Sequence, residues 1–359
     1  MPVPSAYVSQ PRISIDGQPS DGLSADVVSL LVEETTEGLF HCEVAFNNYG
    51  LGSGGSDYLY FRRNQLEFGK TLAVELGAGD RARTVFSGRI SALEAEYPPD
   101  GGARIVALAE DRLQDLRMTR RTRSFEDVSD EDVMNQIASE HSLTPQLSVS
   151  GPTYKVLAQV NQSDLAFLRE RARAANAELW LDGTTLYAKA RPERDGETVE
   201  LRYGAGLIAF RVRADLAHQC SEVGVSGWDV AAKEAIEETG DSSAIGAELN
   251  GDVGGTSILE QAFAARKERV VHTIPLTSEE ARSLAQARYR ERARRFVTGT
   301  GLADGDPRLR VGTTVSLSGL GDLFNGRYYI ARVRHSYDET NGYRTEIEVE
   351  RPGLGRPRS

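Results

Sequence analysis

Two stretches of this chain can be laid over one another. The first reads GKTLAVELG from Gly69 to Gly77, FSGRISALEAEY from Phe86 to Tyr97 and ARIVALAE from Ala103 to Glu110. The second reads GTTVSLSG from Gly312 to Gly319, FNGRYYIARVRHSY from Phe324 to Tyr337 and YRTEIEVE from Tyr343 to Glu350. Each has a Gly-x-Thr opening, an alternating strand, Phe-x-Gly-Arg, a long strand, a Gly-bearing turn and a return strand. Gly69 matches Gly312, Thr71 matches Thr314, Phe86 matches Phe324, and Gly88-Arg89 matches Gly326-Arg327. An ordered set repeated in this way points to an internal duplication, with convergent β-meander chemistry as the alternative. It predicts two related small β-barrels in one chain, and a closed ring of three such chains would then display six similar barrels on a threefold axis.

Working outward, the alternation of Phe40, Cys42, Val44 and Phe46 adds another half-buried strand. The Gly-rich run from Asn47 to Asp57 lacks the GK[ST] of a phosphate loop and reads as a flexible surface loop. After about residue 115 the pattern becomes mixed. Ser129 is placed to cap a helix with acidic residues in its first turn, and Ser163 to cap a second. Asp182-Gly183 suits a hairpin turn. Glu197 to Asp229 is strand-like again, and Thr239 to Gly255 reads as a long loop. Thr277 and Glu280 are spaced as a capping box at the head of a long helix.

The fold class expected is α+β and β-rich: two related β-barrel domains with α/β and helical insertions. The expected division is a first barrel over 1–115 and an α/β domain over 116–192. A second barrel spans 193–238 and 298–353, a Gly-rich loop and helical insertion 239–297, and a disordered tail 354–359. The strands expected to face neighbouring copies carry Leu72, Val74, Leu76, Phe86 and Ile90 in the first repeat. In the second they carry Val315, Leu317, Tyr328, Ile330 and Val333.

Bulk properties narrow the function. The 359 residues carry a net charge of −11, which disfavours a chain-wide affinity for polyanions. The helix SDLAFLRERARA holds Arg169, Arg171 and Arg173, but Glu170 interrupts them and no aromatic platform accompanies them. They read as surface or intersubunit salt-bridge partners rather than a nucleic-acid reader. Cys42 and Cys220 have no metal spacing, and His218 with Cys220 is an isolated HxC, so both cysteines read as small buried apolar residues. No HExxH, GxSxG, EF-hand, Walker or Rossmann pattern is attached to the right elements. The acidic pairs Glu33-Glu34, Glu110-Asp111 and Asp130-Glu131-Asp132 read as solvated faces. No catalytic, cofactor or metal residue is assigned. With no signal peptide pattern and no apolar run long enough to span a bilayer, the chain is expected to be made in the bacterial cytoplasm.

SDLAFLRERARAANAELWLDGTTLYA resembles a segment of the phage late control gene D family, the baseplate hub of contractile tails, to which the hub region of VgrG-type spike proteins is related. FSGRISALEAEY with VALAEDRLQDL resembles that family's first barrel. SEEARSLAQARYRERARRF and the run on Gly326, Tyr328, Ile330, Val333 and His335 resemble the helix and last barrel. The resemblance implies that the two barrels are tail-tube-like and assemble as a pseudo-sixfold homotrimer, a structural protein joining a sixfold inner tube to a threefold spike within an assembled tail or injection particle. It implies an inner tube protein and other baseplate proteins as partners, and no membrane or sequence-specific nucleic acid. Neither an OB-fold nor needle repeats follow Pro352, so the spike, with its OB-fold, is expected to be a separate chain. A β-rich carbohydrate-binding adhesin and a tail-associated cell-wall hydrolase are the alternatives.

Overall fold

A computed structural model describes residues 10–355, apart from residues 53, 54, 100, 195, 231, 272 and 273. One sheet of 13 strands runs through both duplicated regions. In the first region the strands Arg12–Ile15, Thr71–Leu76, Arg83–Glu96, Arg104–Glu110, His41–Asn47 and Val27–Thr35 lie side by side in that order. Alternate residues face one core, as in Thr71–Leu76, where Leu72, Val74 and Leu76 are buried and their neighbours are not. Burial of each such side chain stabilises the unit by about 1.5–3 kcal/mol relative to exposure.

The second region closes on itself. Gly326–Asp338, Thr314–Ser318, Thr198–Tyr203, Gly206–Ala214, Val297–Asp304 and Gly342–Arg351 form a six-stranded ring, because the first and last of these also pair with each other. Among the described residues the first region does not close. Arg12–Ile15 runs antiparallel to Thr71–Leu76, whereas Thr198–Tyr203 runs parallel to Thr314–Ser318 and so reaches Gly206–Ala214. The outer edge of Val27–Thr35 pairs instead with Gly326–Asp338 of the closed barrel.

The backbone contains the duplication in detail. Gly69 and Gly312 both have positive φ (81° and 89°). Gly69 donates its N–H to Ile90 at 2.8 Å, and Gly312 donates to Ile330 at 3.1 Å. Ile90 lies opposite Ala109 with a bulge before Ala92, and Ile330 lies opposite Val349 with a bulge before Arg332. A second pair of bulges falls between Val27 and Ser29 and between Leu207 and Ala209. These registers correct one sequence match. Ile90 is equivalent to Ile330, so Gly88 corresponds to Tyr328 and Phe86 to Gly326, two residues from the Phe-x-Gly-Arg alignment.

Residues 113–190 hold a separate core, in which the helices Asp130–Glu140 and Asp164–Ala174 pack on short strands. Ser129 and Asp132 form a reciprocal capping box, and Ser163 accepts from Ala166 N–H at 3.2 Å. The second insertion is larger than the sequence suggests. Glu222–Asp229 and Glu234–Asp241 pair with each other and with Lys267–Val270, beneath the helix Ser278–Arg294. The barrel strands therefore stop at Ala214, and residues 222–241, expected in the second barrel or its following loop, belong to the inserted unit.

Four other expectations change. Tyr49–Gly52 and Gly55–Tyr58 pair as a hairpin where a flexible loop was expected. The segment after Glu238 holds two 3-10 turns and the helix Gly255–Phe263. At the chain end, Gly353 and Leu354 pair with Val253 and Gly254, so the expected disordered tail begins with a strand pair, and residues 356–359 lie outside the described residues. At the long helix, Thr277 caps Glu280 N–H, but the Glu280 carboxylate accepts from Leu276 rather than from Thr277.

Candidate functional site

The feature that organises the molecule is the joint between the open sheet and the closed barrel. Antiparallel pairing sets Arg332 opposite Thr35, Arg334 opposite Glu33, His335 opposite Val32 and Tyr337 opposite Leu30. Side chains alternate between the two faces of the joint. On the inner face Leu30, Val32, Val333, His335 and Tyr337 are buried. On the outer face Glu33 accepts from both Arg332 and Arg334, each at 2.5 Å. Burial alone raises a carboxyl's pKa, but these two guanidinium groups outweigh it and hold Glu33 below the usual range. Glu34 faces inward, fully buried, where it pairs with Arg310 and accepts from Val311 N–H at 3.2 Å.

A second buried network pins the α/β unit to the closed barrel. Glu178 accepts from Arg191 and Arg194, both at 2.8 Å, and from the Tyr329 hydroxyl. Arg191 continues to Glu350 at 2.7 Å and lies over the Tyr329 ring, while Arg194 lies over Trp180. Burial, followed by the Glu178 charge, pushes the Tyr329 phenol up. The fixed cations and packed rings make this a fastening rather than an acid–base pair.

The ten residues expected to face neighbouring copies all lie in the cores of their own units. Leu72, Val74, Leu76, Phe86 and Ile90 line the first core, and Val315, Leu317, Tyr328, Ile330 and Val333 line the second. None has surface to offer a partner, because the period-2 pattern that singles them out is the pattern of the inward face. The three arginines also act within the chain. Arg169 donates to the carbonyls of Glu37 and Gly38, Arg171 pairs with buried Asp130 at 2.5 Å, and Arg173 pairs with Glu37 at 3.2 Å on the surface. They tie the helix to the turn after Val27–Thr35 and to the neighbouring helix.

Three carboxylates expected in solvent are buried: Glu34, Asp130 and Asp111. Asp111 accepts from the N–H groups of Phe40 and Leu113, both at 2.8 Å, and burial pushes its pKa up to about 6. Each therefore has a bonding role in the fold, which sequence reading missed because the partners lie far along the chain. Cys42 and Cys220 are buried free thiols, with burial pushing both pKa values up. Among the described residues no cluster of three or more His, Cys, Asp or Glu could hold a metal ion, and no helix is long and apolar enough to cross a membrane.

A family model described as the Alg8 N-terminal domain matches residues 6–339. No curated protein matches the chain. Among solved structures, the 43 kDa tail protein of prophage MuSo2 from Shewanella oneidensis is similar with a TM-score of 0.70 and 14% identity, covering 96% of this chain and 98% of that one. A tail protein from Neisseria meningitidis MC58 is similar with a TM-score of 0.67 and 12% identity, with the same coverage of 96% and 98%. An E. coli component of the type VI secretion system, described as structurally similar to the T4 bacteriophage tail proteins gp27 and gp5, has a TM-score of 0.56 and 12% identity over 97% of this chain and 79% of that one. At these identities the likeness shows a shared tail-protein fold.

Proposed function

We propose that this chain, which belongs to the Alg8 N-terminal domain family, is a non-enzymatic structural hub of a contractile tail or phage-derived injection machine. The observation that carries the reading is the strand joint, which makes two duplicated units into one continuous 13-stranded sheet. Two like units joined edge to edge are a third of a six-unit ring. Three copies would give a surface matched to a sixfold inner tube on one side and a threefold spike on the other.

The mechanism is mechanical. Cross-strand hydrogen bonds, the Glu33–Arg334 pair and the Glu178 network join the open sheet, the closed barrel and the α/β unit into one body. Such a body transmits axial force without sliding at its internal boundaries. The partners are the inner tube protein, a separate spike chain and other baseplate proteins. The likeness to tail and secretion proteins over nearly the whole chain supports this reading.

Mass photometry of the full chain, alone and with tube and spike proteins from its own gene neighbourhood, tests it. A trimer that binds both supports the hub. A monomer that binds neither, but binds glycans or cleaves cell wall, contradicts it.

A further inference from the structure

The joint inside the chain has a second, unfilled counterpart. By the shared bulges, Val27–Thr35 is equivalent to Gly206–Ala214, with Glu33 corresponding to Arg213. Likewise Arg83–Glu96 is equivalent to the long strand Gly326–Asp338, with Glu94 corresponding to Arg334. The long strand of the closed barrel already pairs with the edge of Val27–Thr35. The corresponding pair, residues 92–97 of the open sheet and 209–215 of the closed barrel, is not joined. Among the described residues both edges lack a strand partner: Thr71–Leu76 pairs only as far as Arg89, and Thr198–Tyr203 only as far as Leu207.

We propose that these two edges are the halves of one interface, and that residues 92–97 of one copy pair antiparallel with residues 209–215 of the next. The internal joint dictates the register: Leu93 opposite Ala214, Glu94 opposite Arg213, Ala95 opposite Val212, Glu96 opposite Arg211 and Tyr97 opposite Phe210. The apolar residues then share the inner face and the charges the outer face, as Val333, His335 and Tyr337 share the inner face and Glu33 and Arg334 the outer face inside the chain. Tyr97 is 65% exposed, Glu94, Glu96, Arg211 and Arg213 are exposed, and among the described residues none of these four has an ion-pair partner. Pro98, with no N–H to donate, ends the ladder.

The signs of the charges are inverted between the two joints. Inside the chain the long strand carries Arg332 and Arg334 and the edge it meets carries Glu33. In the proposed joint the long strand carries Glu94 and Glu96 and the edge carries Arg211 and Arg213. Pairing two first units would set Glu94 against Glu33, and pairing two second units would set Arg334 against Arg213. Like charges directly opposite are destabilising, so the pattern enforces strict alternation of first and second units around the ring. Such a head-to-tail contact closes into a ring or propagates as a filament. The ring of three rests on the hub reading, and the strand pairing does not.

The test uses the full chain. Glu94→Arg with Glu96→Arg, and separately Arg211→Glu with Arg213→Glu, should each weaken self-association at least about tenfold by placing like charges opposite. The quadruple exchange should restore it. Glu94→Cys with Arg213→Cys should give an intermolecular disulfide under mild oxidation, read on a non-reducing gel. The native Cys42 and Cys220 are buried and give no background. Circular dichroism confirms that each variant is folded. Assembly unchanged in both charge variants, or no disulfide at any concentration, overturns the joint, even if the chain binds tube and spike. A disulfide-linked ring that binds neither tube nor spike leaves the joint standing and overturns the hub.

Discussion

Arg334 of the closed barrel donates to Glu33 of the open sheet at 2.5 Å, across a strand pair whose members stand about 300 residues apart in sequence. This contact lies on the outer face of the strand pairing that joins the two regions. Glu33→Gln keeps the shape and removes the charge, and about 1–2 kcal/mol should be lost, the range for a partly exposed charge-assisted bond. Hydrogen exchange at Val32 and His335 should speed up accordingly, with little change in the core of residues 113–190.

Glu178 is a sharper test of the fastening between the α/β unit and the barrel. Glu178→Ala leaves Arg194 buried without its carboxylate partner, while Arg191 keeps Glu350, a change of the kind that costs about 3–5 kcal/mol. Limited proteolysis should then cut near residues 191–197, and denaturation should show two transitions in place of one. A single transition at the original midpoint would contradict the assignment.

His335 makes stability depend on pH. Burial, reinforced by the Arg310 cation and opposed by Asp306, pushes its imidazole down to about 3. Its Nδ1 lies 2.9 Å from the Tyr343 hydroxyl. Between about pH 6.5 and pH 3 the unfolded chain binds a proton here that the folded chain does not. The contribution of His335 is therefore complete above pH 6.5 and falls with pH by about 1.4 kcal/mol per unit. His335→Phe should flatten the stability curve between pH 6 and pH 4 relative to the wild type, whatever its effect at pH 7. Parallel curves would show that the residue does not titrate on unfolding.

Gly240 reports on the inserted unit. A Cβ added there would lie 2.4 Å from the Ala285 carbonyl oxygen, in the helix that covers this strand. Gly240→Ala should cost about 1–3 kcal/mol by forcing helix and sheet apart. Tryptophan fluorescence would follow the change through Trp228, which lies on the partner strand Glu222–Asp229.

The alternating strands of the two regions, the caps at Ser129 and Ser163 and the repeated strand order were legible in the sequence, because alternation and capping residues act locally. The match of Gly88 to Gly326 was two residues out. Turn geometry at Gly69 and Gly312 and the bulges at Ser91 and Ala331 set the register, and a shift of two keeps every side chain on its own face. Hydrophobic alternation also does not mark the strand edges proposed for assembly. It selects Leu72 or Ile330, which fill cores, whereas edges are marked by which backbone groups remain unpaired. Glu34, Asp111 and Asp130 read as surface acids because their partners, Arg310, Phe40 and Arg171, come from elements brought together only by folding.

A ring of alternating units can be weighed by native mass spectrometry of the purified chain. A dominant species at three times the 39.2 kDa chain mass is expected, lost on reversing Glu94 and Glu96 and recovered when Arg211 and Arg213 are reversed as well. A species at the single-chain mass at all concentrations, or a two-copy species indifferent to these charges, would contradict it.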